Sequence, residues 1–149
     1  MDIVCDMGSA PDTGPERMRE YHRLFAHHLV GRERTAEGIR FRFRAGEAAA
    51  GSAASAAGDR PAASDRAGGF DSVEAWVRDL AAREKACCAF FDFTISTDGD
   101  EVRWDATVID DDVARAVLEE FYHLPENAAD GDEELERRLR ERGLQFVQR

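Results

Sequence analysis

Residues 90–109 read FFDFTISTDGDEVRWDATVI and carry the strongest fold signal in the chain. Apolar and polar residues alternate on both sides of Asp98-Gly99-Asp100, which is typical of two half-buried strands joined by a tight turn. We therefore predict a β-hairpin with strands at Phe90–Thr97 and Glu101–Ile109. Because side chains on a strand point alternately to its two faces, one face of this hairpin is apolar and packs against a core.

A second predicted hairpin lies upstream, with strands at Gly31–Thr35 and Ile39–Arg44. The latter strand reads IRFRFR, so one of its faces is apolar and the other is strongly basic. The basic residues are Arg40, Arg42 and Arg44, extended across the hairpin by Arg32 and Arg34. This arginine stripe is a candidate site for an anionic ligand or an acidic partner. The alternative is that it pairs with the chain's own acidic tail or with the Asp110–Asp112 cluster.

Each hairpin is preceded by a predicted helix. The first helix begins after the capping sequence Asp12–Glu16 and extends to about Val30, with His22 inside its apolar stripe. The second helix covers Val73 to about Ala89, and Asp71 or Ser72 can cap it. A third helix is predicted after the second hairpin, where Asp110–Asp112 provide its cap.

The element order is strand, helix, hairpin, helix, hairpin, helix, with the first strand at Ile3–Met7. This order predicts an α+β fold with two helices on one face of an antiparallel sheet. It is compatible with a ferredoxin-like topology and with two consecutive helix-plus-hairpin repeats. Residues 1–124 then form one domain, interrupted at 45–69 by an Ala/Gly/Ser-rich stretch that we interpret as a flexible insertion. Residues 125–149 are expected to form a charged, partly helical C-terminal extension that ends in an edge strand.

Composition excludes several partner classes. The 149 residues contain 20 Lys and Arg against 31 Asp and Glu, a net charge of −11, so nucleic acid is not an expected partner. No apolar run is long enough for a membrane span, and no export signal begins the chain, so we expect no membrane partner and a cytoplasmic location. In that reducing compartment, three cysteines indicate metal or redox chemistry more often than structural disulfides.

The second helix contains an anomaly at Glu84, which helical spacing puts near the centre of the apolar stripe, with Cys87 and Cys88 beside it. An isolated buried charge is costly, so Glu84 must be paired, protonated, bound to a metal or close to water. The first strand and the second helix run in the same direction and end at one edge of the domain, which brings Cys5 to this place. His22 is expected at a depth similar to that of Glu84.

The residues Cys5, Glu84, Cys87, Cys88 and His22 therefore form a candidate metal site. Thiolates select thiophilic ions, and imidazole and carboxylate can complete a shell for an ion such as zinc. Adjacent cysteines project about 100° apart on a helix, so they rarely chelate one ion unless the helix ends between them. The alternative is that all three cysteines are small core residues.

Three functions are compatible with these residues. The first is a small binding domain in which Cys87, Cys88 and Cys5 capture a thiophilic metal, a metalloid or a thiol-reactive small ligand. The second is a thiol-dependent enzyme with Cys87 or Cys88 as nucleophile and Glu84 or His22 as base. The third is a non-catalytic interaction module or homodimer that uses the basic sheet face. Whether the protein is an enzyme stays open, although the common hydrolase, metalloprotease and nucleotide-binding motifs do not occur.

The segment Arg83–Phe93 resembles one found in small uncharacterised bacterial proteins, often E-x-x-C-C-P-F-x-x-F, in which a helix also leads into a hairpin. The resemblance covers about Val73–Val108, and Ala89 replaces the usual proline. It brings no established activity. It implies that Glu84, Cys87, Cys88 and Phe90 belong to one motif.

Overall fold

The computed structural model describes residues 3–6, 8, 12–46 and 70–147. Most of the insertion predicted at 45–69 lies outside the described residues, as does Met7 at the end of the predicted first strand. In chain order the elements are β1 (Val4–Asp6), α1 (Gly14–His28), β2 (Leu29–Arg34), β3 (Ile39–Arg44), α2 (Val73–Cys87), β4 (Phe91–Asp98), β5 (Glu101–Val108), α3 (Asp112–Tyr122), α4 (Leu124–Asn127), a short 3₁₀ helix (Ala128–Asp130), α5 (Asp132–Glu141) and β6 (Gln145–Val147).

The long helices begin where their capping residues predict. Thr13 caps α1 in a capping box with Glu16, Ser72 accepts from the backbone N–H of Ala75 at the start of α2, and Asp111 caps α3. Of the described helices, none is long and apolar enough to cross a membrane.

Within the described ranges, the main sheet has four antiparallel strands in the order β2-β3-β5-β4. Both predicted hairpins are present, and their strand ends fall within two residues of the prediction. The central strands β3 and β5 pair with each other, so Phe41 lies opposite Trp104. The α+β class is therefore confirmed.

The ferredoxin-like alternative is not observed, because it would place β1 inside the main sheet. Instead β1 pairs in parallel with β6, with Cys5 opposite Phe146. The main sheet is built from the two hairpins that follow α1 and α2. The edge strand expected at Leu144–Val147 is thus present as β6, and its partner is at the other end of the chain.

Aromatic side chains make up the core between the helices and the apolar face of the sheet. Tyr21 on α1 stacks on Trp104 at a ring-centroid distance of 6.2 Å, and Phe25 contacts Phe41 at 5.4 Å. Phe121 on α3 contacts the same two sheet residues, Phe41 at 5.3 Å and Trp104 at 5.6 Å. Leu80 of α2 is buried in the same cluster, so three helices, rather than the two expected, cover this face.

The described part of the C-terminal segment also packs against the core. Leu124 and Leu144 are buried, and Leu135, Leu139 and Phe146 lie against the same cluster. The charged residues of α5 make ion pairs with one another on its outer side, including Arg137 with Glu134 and Arg140 with Glu136. This segment therefore brings apolar side chains to the region around β1.

Candidate functional site

Three cysteines meet at the end of α2. Cys5 comes from β1, Cys87 is the last residue of α2, and Cys88 follows it. Their Sγ atoms all lie within 4.8 Å of one another, and none of the three residues is more than 5% exposed. We call this group the cysteine triad. The sequence-based expectation that Cys5 joins the other two is confirmed.

The end of α2 explains how two neighbouring cysteines face the same place. Cys88 has φ −121° and ψ 80°, outside the helical region, while its N–H still donates to the carbonyl of Glu84 at 2.8 Å. Lys85 stabilises this end by donating from Nζ to the carbonyls of Ala89 and Phe91. The helix therefore ends between Cys87 and Cys88, which is the condition that chelation by adjacent cysteines requires.

Cys5 and Cys88 form a disulfide, with their Cα atoms 4.5 Å apart and a separation of 83 positions in the sequence. Cys87 lies outside this bond, and its Sγ is 3.7 Å from Sγ of Cys88. The sequence favoured thiols over a disulfide, so this bond differs from the expectation. In the oxidised form only Cys87 keeps a thiol, and the three sulfurs become ligands together only after reduction.

Glu84 lies next to the triad and is held by two residues of α1. Nη1 of Arg17 donates to its Oε2 at 2.9 Å, and the hydroxyl of Tyr21 donates to its Oε1 at 2.7 Å. The Glu84 side chain is 15% exposed and the Arg17 side chain 9%. Of the four possibilities that the sequence left for this carboxylate, pairing is the one observed.

The contact between α1 and α2 continues as a buried ion-pair network. Asp12 accepts from Nη2 of Arg17 at 2.8 Å and from Nη1 of Arg83 at 2.7 Å. Arg83 also donates to both carboxylate oxygens of Glu20, at 2.6 and 2.8 Å. Together with Glu84, these residues form a chain of alternating charges that we call the ion-pair network.

The surroundings of Cys87 disfavour its thiolate. Burial, and then the negative charge of Glu84, raise the pKa of the Cys87 thiol to about 11, although the positive charge of Arg17 acts in the opposite direction. Burial and Glu84 also raise the pKa of Tyr21 well above its usual value. Both groups are consequently protonated at neutral pH.

A cavity of about 100 Å³ adjoins the triad. All three cysteines line it, and most of its remaining wall is apolar, including Met18, Phe121, Leu139 and Phe146. The wall is contributed by β1, α1, α2, β4 and α3 and by α4, α5 and β6 of the C-terminal part, so the C-terminal segment closes a space that would otherwise open at β1. A small molecule in this cavity would contact sulfur on one side and hydrocarbon on the other.

The structure does not bring His22 to the triad. His22 is exposed, so its expected place inside the apolar stripe of α1 is wrong. The buried face of α1 includes Arg17 and Glu20, which the apolar pattern does not count. Including these residues rotates the centre of the face away from His22.

The arginine stripe lies on the other face of the sheet, where carboxylates of neighbouring strands pair with it in place of the expected acidic tail or Asp110–Asp112. Nε of Arg40 donates to Asp105 at 2.6 Å, and Arg42 pairs with Glu33 and Glu101 at 3.0 Å each. Arg44 at the end of β3 is exposed and lies opposite Glu101. This face is thus mixed in charge rather than basic.

Arg32 and Arg34 do not extend that stripe, which corrects the expectation. They lie opposite Phe41 and Ile39 in the register of the hairpin, and opposed residues share a face of the sheet. Both guanidinium groups lie over the ring of Tyr122, at 4.7 and 4.4 Å from its centroid. They attach α3 to the edge of the sheet.

Arg17 and Tyr21 are site residues that the sequence reasoning missed. They are four positions apart on α1, so they occupy one face of the helix and meet Glu84 together. Two features of the sequence pointed to Arg17. A buried carboxylate on the facing helix needs a cation, and Arg17 comes directly before Met18, which belongs to the apolar stripe of α1. Choosing Arg17 among the many arginines required knowledge of how the two helices face each other.

Comparisons with known proteins provide no match: no family model, no curated protein and no solved structure matches this chain. The chemistry of the site therefore rests on its own residues.

Proposed function

We propose that this protein is a small binding domain whose reduced cysteine triad captures a thiophilic metal or metalloid ion. The observation that carries the proposal is the convergence of the Sγ atoms of Cys5, Cys87 and Cys88 within 4.8 Å of one another. Thiolate and thiol sulfur are the ligands that soft ions prefer. The resemblance of the segment around Glu84, which groups both helix-end cysteines as one motif, also supports a shared role.

Reduction of the Cys5–Cys88 disulfide is the step that prepares the site. A dithiol reductant forms its own disulfide, the bond between Cys5 and Cys88 breaks, and each of these residues takes up a proton as a thiol. Two electrons and two protons thus pass from the reductant to the protein. The proposal requires a reducing compartment, which is the cytoplasmic location expected from the sequence.

The triad suits an ion that takes three ligands better than it suits zinc. Structural zinc sites have four protein ligands, and the candidate fourth ligand, Glu84, already accepts hydrogen bonds from Arg17 and Tyr21 on its two oxygens. His22, the other candidate, is exposed. The protein ligands that remain for an ion are therefore the three sulfurs of the triad.

The thiol-enzyme alternative has less support. A nucleophilic cysteine needs a depressed pKa, whereas burial and Glu84 raise the pKa of Cys87 to about 11. Glu84 is engaged by Arg17 and Tyr21, so it is not available as a base for Cys87 without breaking that pairing.

The interaction-module alternative, including a homodimer through the sheet, also has less support. It depends on Arg40 and Arg42, and both arginines already pair with carboxylates of the same sheet.

The test is ion binding by the full chain in defined redox states. Reduced, oxidised and Cys87→Ser proteins are exposed without oxygen to Zn²⁺, Cd²⁺ and arsenous acid, desalted, and analysed by elemental mass spectrometry. We expect the reduced protein to retain about one equivalent of at least one of these, and the oxidised and Cys87→Ser forms to retain at least tenfold less. Retention of none by the reduced protein, or equal retention by all three forms, would contradict the proposal.

A further inference from the structure

We infer that the reduced triad takes a neutral trivalent metalloid hydroxide, of the arsenous acid type, in preference to a divalent cation. This inference rests on the proposed function and adds the chemical class of the ligand. It is carried by three sulfurs that converge in a buried place and by the charges that line the adjoining cavity.

The two ligand classes differ in the charge that they leave in the site. A trivalent hydroxide exchanges its three hydroxyl groups for three thiols, so three metalloid–sulfur bonds form, three waters leave and the adduct is neutral. A divalent cation bound by three thiols releases three protons and leaves an adduct of charge −1. The adduct of a divalent cation is neutral only when two cysteines bind as thiolates, and one of the three converging sulfurs is then unused.

The cavity disfavours the negative adduct. Of the charged residues that line it, four are acidic and one is basic: Glu84, Glu120, Asp132 and Glu136 against Arg17. Glu120 and Glu136 are paired with arginines of α5 and its C-terminal end, but those arginines are not part of the wall. Arg17 is already shared between Asp12 and Glu84. An additional negative charge on the triad would therefore face carboxylates with no uncommitted cation in the wall, in a place where burial makes charge costly.

The size and wall of the cavity also fit an uncharged solute. Its volume is about 100 Å³, and a water molecule's share of liquid volume is about 30 Å³, so a small hydroxide has room beside the sulfurs. Much of the wall is hydrocarbon, from residues such as Phe121 and Leu139. A hydrated dication would have to lose a strongly bound water shell against this wall, whereas a neutral hydroxide gives up weaker hydrogen bonds to water.

The experiment is a ranking of affinities on the reduced full chain. Titration calorimetry at pH 7 without oxygen compares arsenous acid with Cd²⁺ and Zn²⁺. We expect the Kd for arsenous acid to be at least tenfold below both others. A Kd for Cd²⁺ or Zn²⁺ equal to or below that for arsenous acid overturns the inference and leaves the proposed function standing. If none of the three binds, the proposed function itself is wrong.

The Glu84→Gln variant separates repulsion from ligation. If Glu84 acts by its charge alone, removal of that charge lowers the Kd for Cd²⁺ at least threefold. The ratio of the Kd for Cd²⁺ to the Kd for arsenous acid then becomes smaller. Weaker Cd²⁺ binding in this variant would make Glu84 a metal ligand and overturn the inference. Glu74→Gln is the matched control, because Glu74 lies on the same helix and pairs only with exposed Arg78 among the contacts of the described residues. The ranking in the unaltered protein decides the matter even if a variant folds poorly.

Discussion

At the scale of single residues, Cys87 connects the cysteine triad to the ion-pair network. Its pKa is raised to about 11 by burial and by Glu84. In the oxidised protein, Cys87 carries the remaining thiol, because Cys5 and Cys88 are bonded to each other. Its reactivity can therefore be measured without interference from the other two.

We predict that Glu84→Gln lowers the pKa of Cys87, since the charge that raises it is removed. One pKa unit is a tenfold change in thiolate fraction, so alkylation of Cys87 at pH 8 should accelerate several-fold to about tenfold. The measurement is the rate of iodoacetamide labelling of the oxidised protein as a function of pH, read by mass spectrometry. An unchanged pH profile, with Glu74→Gln as the control, would mean that Glu84 does not govern this thiol.

Asp12 gives a prediction about stability and pH. Burial would raise the pKa of Asp12, but the hydrogen bond and charge of Arg17 and the charge of Arg83 outweigh it, so the pKa lies below its ordinary value of 3.8. A carboxyl whose pKa is lower in the folded state stabilises the fold above pH 3.8, and this contribution is lost as the pH falls through the folded-state value.

We therefore expect Asp12→Asn to reduce the free energy of unfolding by about 1–3 kcal/mol at pH 7. The difference from the unaltered protein should shrink on acidification below pH 3.8, because Asp12 of the unaltered protein then takes up a proton first in the unfolded state and, at lower pH, in the folded state as well. Urea unfolding at pH 7 and pH 3 measures this. If the two proteins differ in free energy of unfolding by the same amount at pH 7 and pH 3, the charge of Asp12 does not stabilise the fold.

At the scale of elements, α1 and α2 are held together by charges as well as by hydrocarbon. Arg83 and Glu20 are both buried, and the indole N–H of Trp76 donates to the same carboxylate at 3.0 Å. Removing one partner of a buried pair leaves the other uncompensated, at a cost of about 3–5 kcal/mol. We predict a loss of this order for Arg83→Ala, measured by urea unfolding.

Arg78→Ala is the control for that prediction. Arg78 lies on the same helix and makes an i,i+4 pair with Glu74, but its side chain is 51% exposed. Exposed pairs of this kind contribute about 0.3–0.5 kcal/mol. Comparable losses for the two variants would contradict the assignment of Arg83 to the contact between the helices.

The elements themselves were predictable because their signals are local. Alternation defines both hairpins, and caps at Thr13, Ser72 and Asp111 define where the long helices begin. The parallel pairing of β1 with β6 has no local signal, since the two strands are at opposite ends of the chain. The sequence indicated that Glu84 needed a partner but not that Arg17 and Tyr21 supply it, because that depends on how two helices face each other.

At the scale of the whole molecule, the disulfide joins β1 to the end of α2 across 83 positions. Closing a loop of this length restricts the unfolded chain, and native disulfides typically contribute about 2–5 kcal/mol. We predict that reduction lowers the free energy of unfolding by that amount. Denaturation with and without dithiothreitol measures it, and Cys87→Ser should show the same difference. No effect of the reductant would mean that the bond does not constrain the chain.

The central claim is that three cysteine sulfurs bind one thiophilic centre. The most direct measurement is the arsenic X-ray absorption spectrum of the reduced protein loaded with one equivalent of arsenous acid. We predict three sulfur neighbours around arsenic and no oxygen, because all three hydroxyl groups leave as water. A shell that keeps oxygen, or one that is unchanged in Cys87→Ser, would contradict the claim.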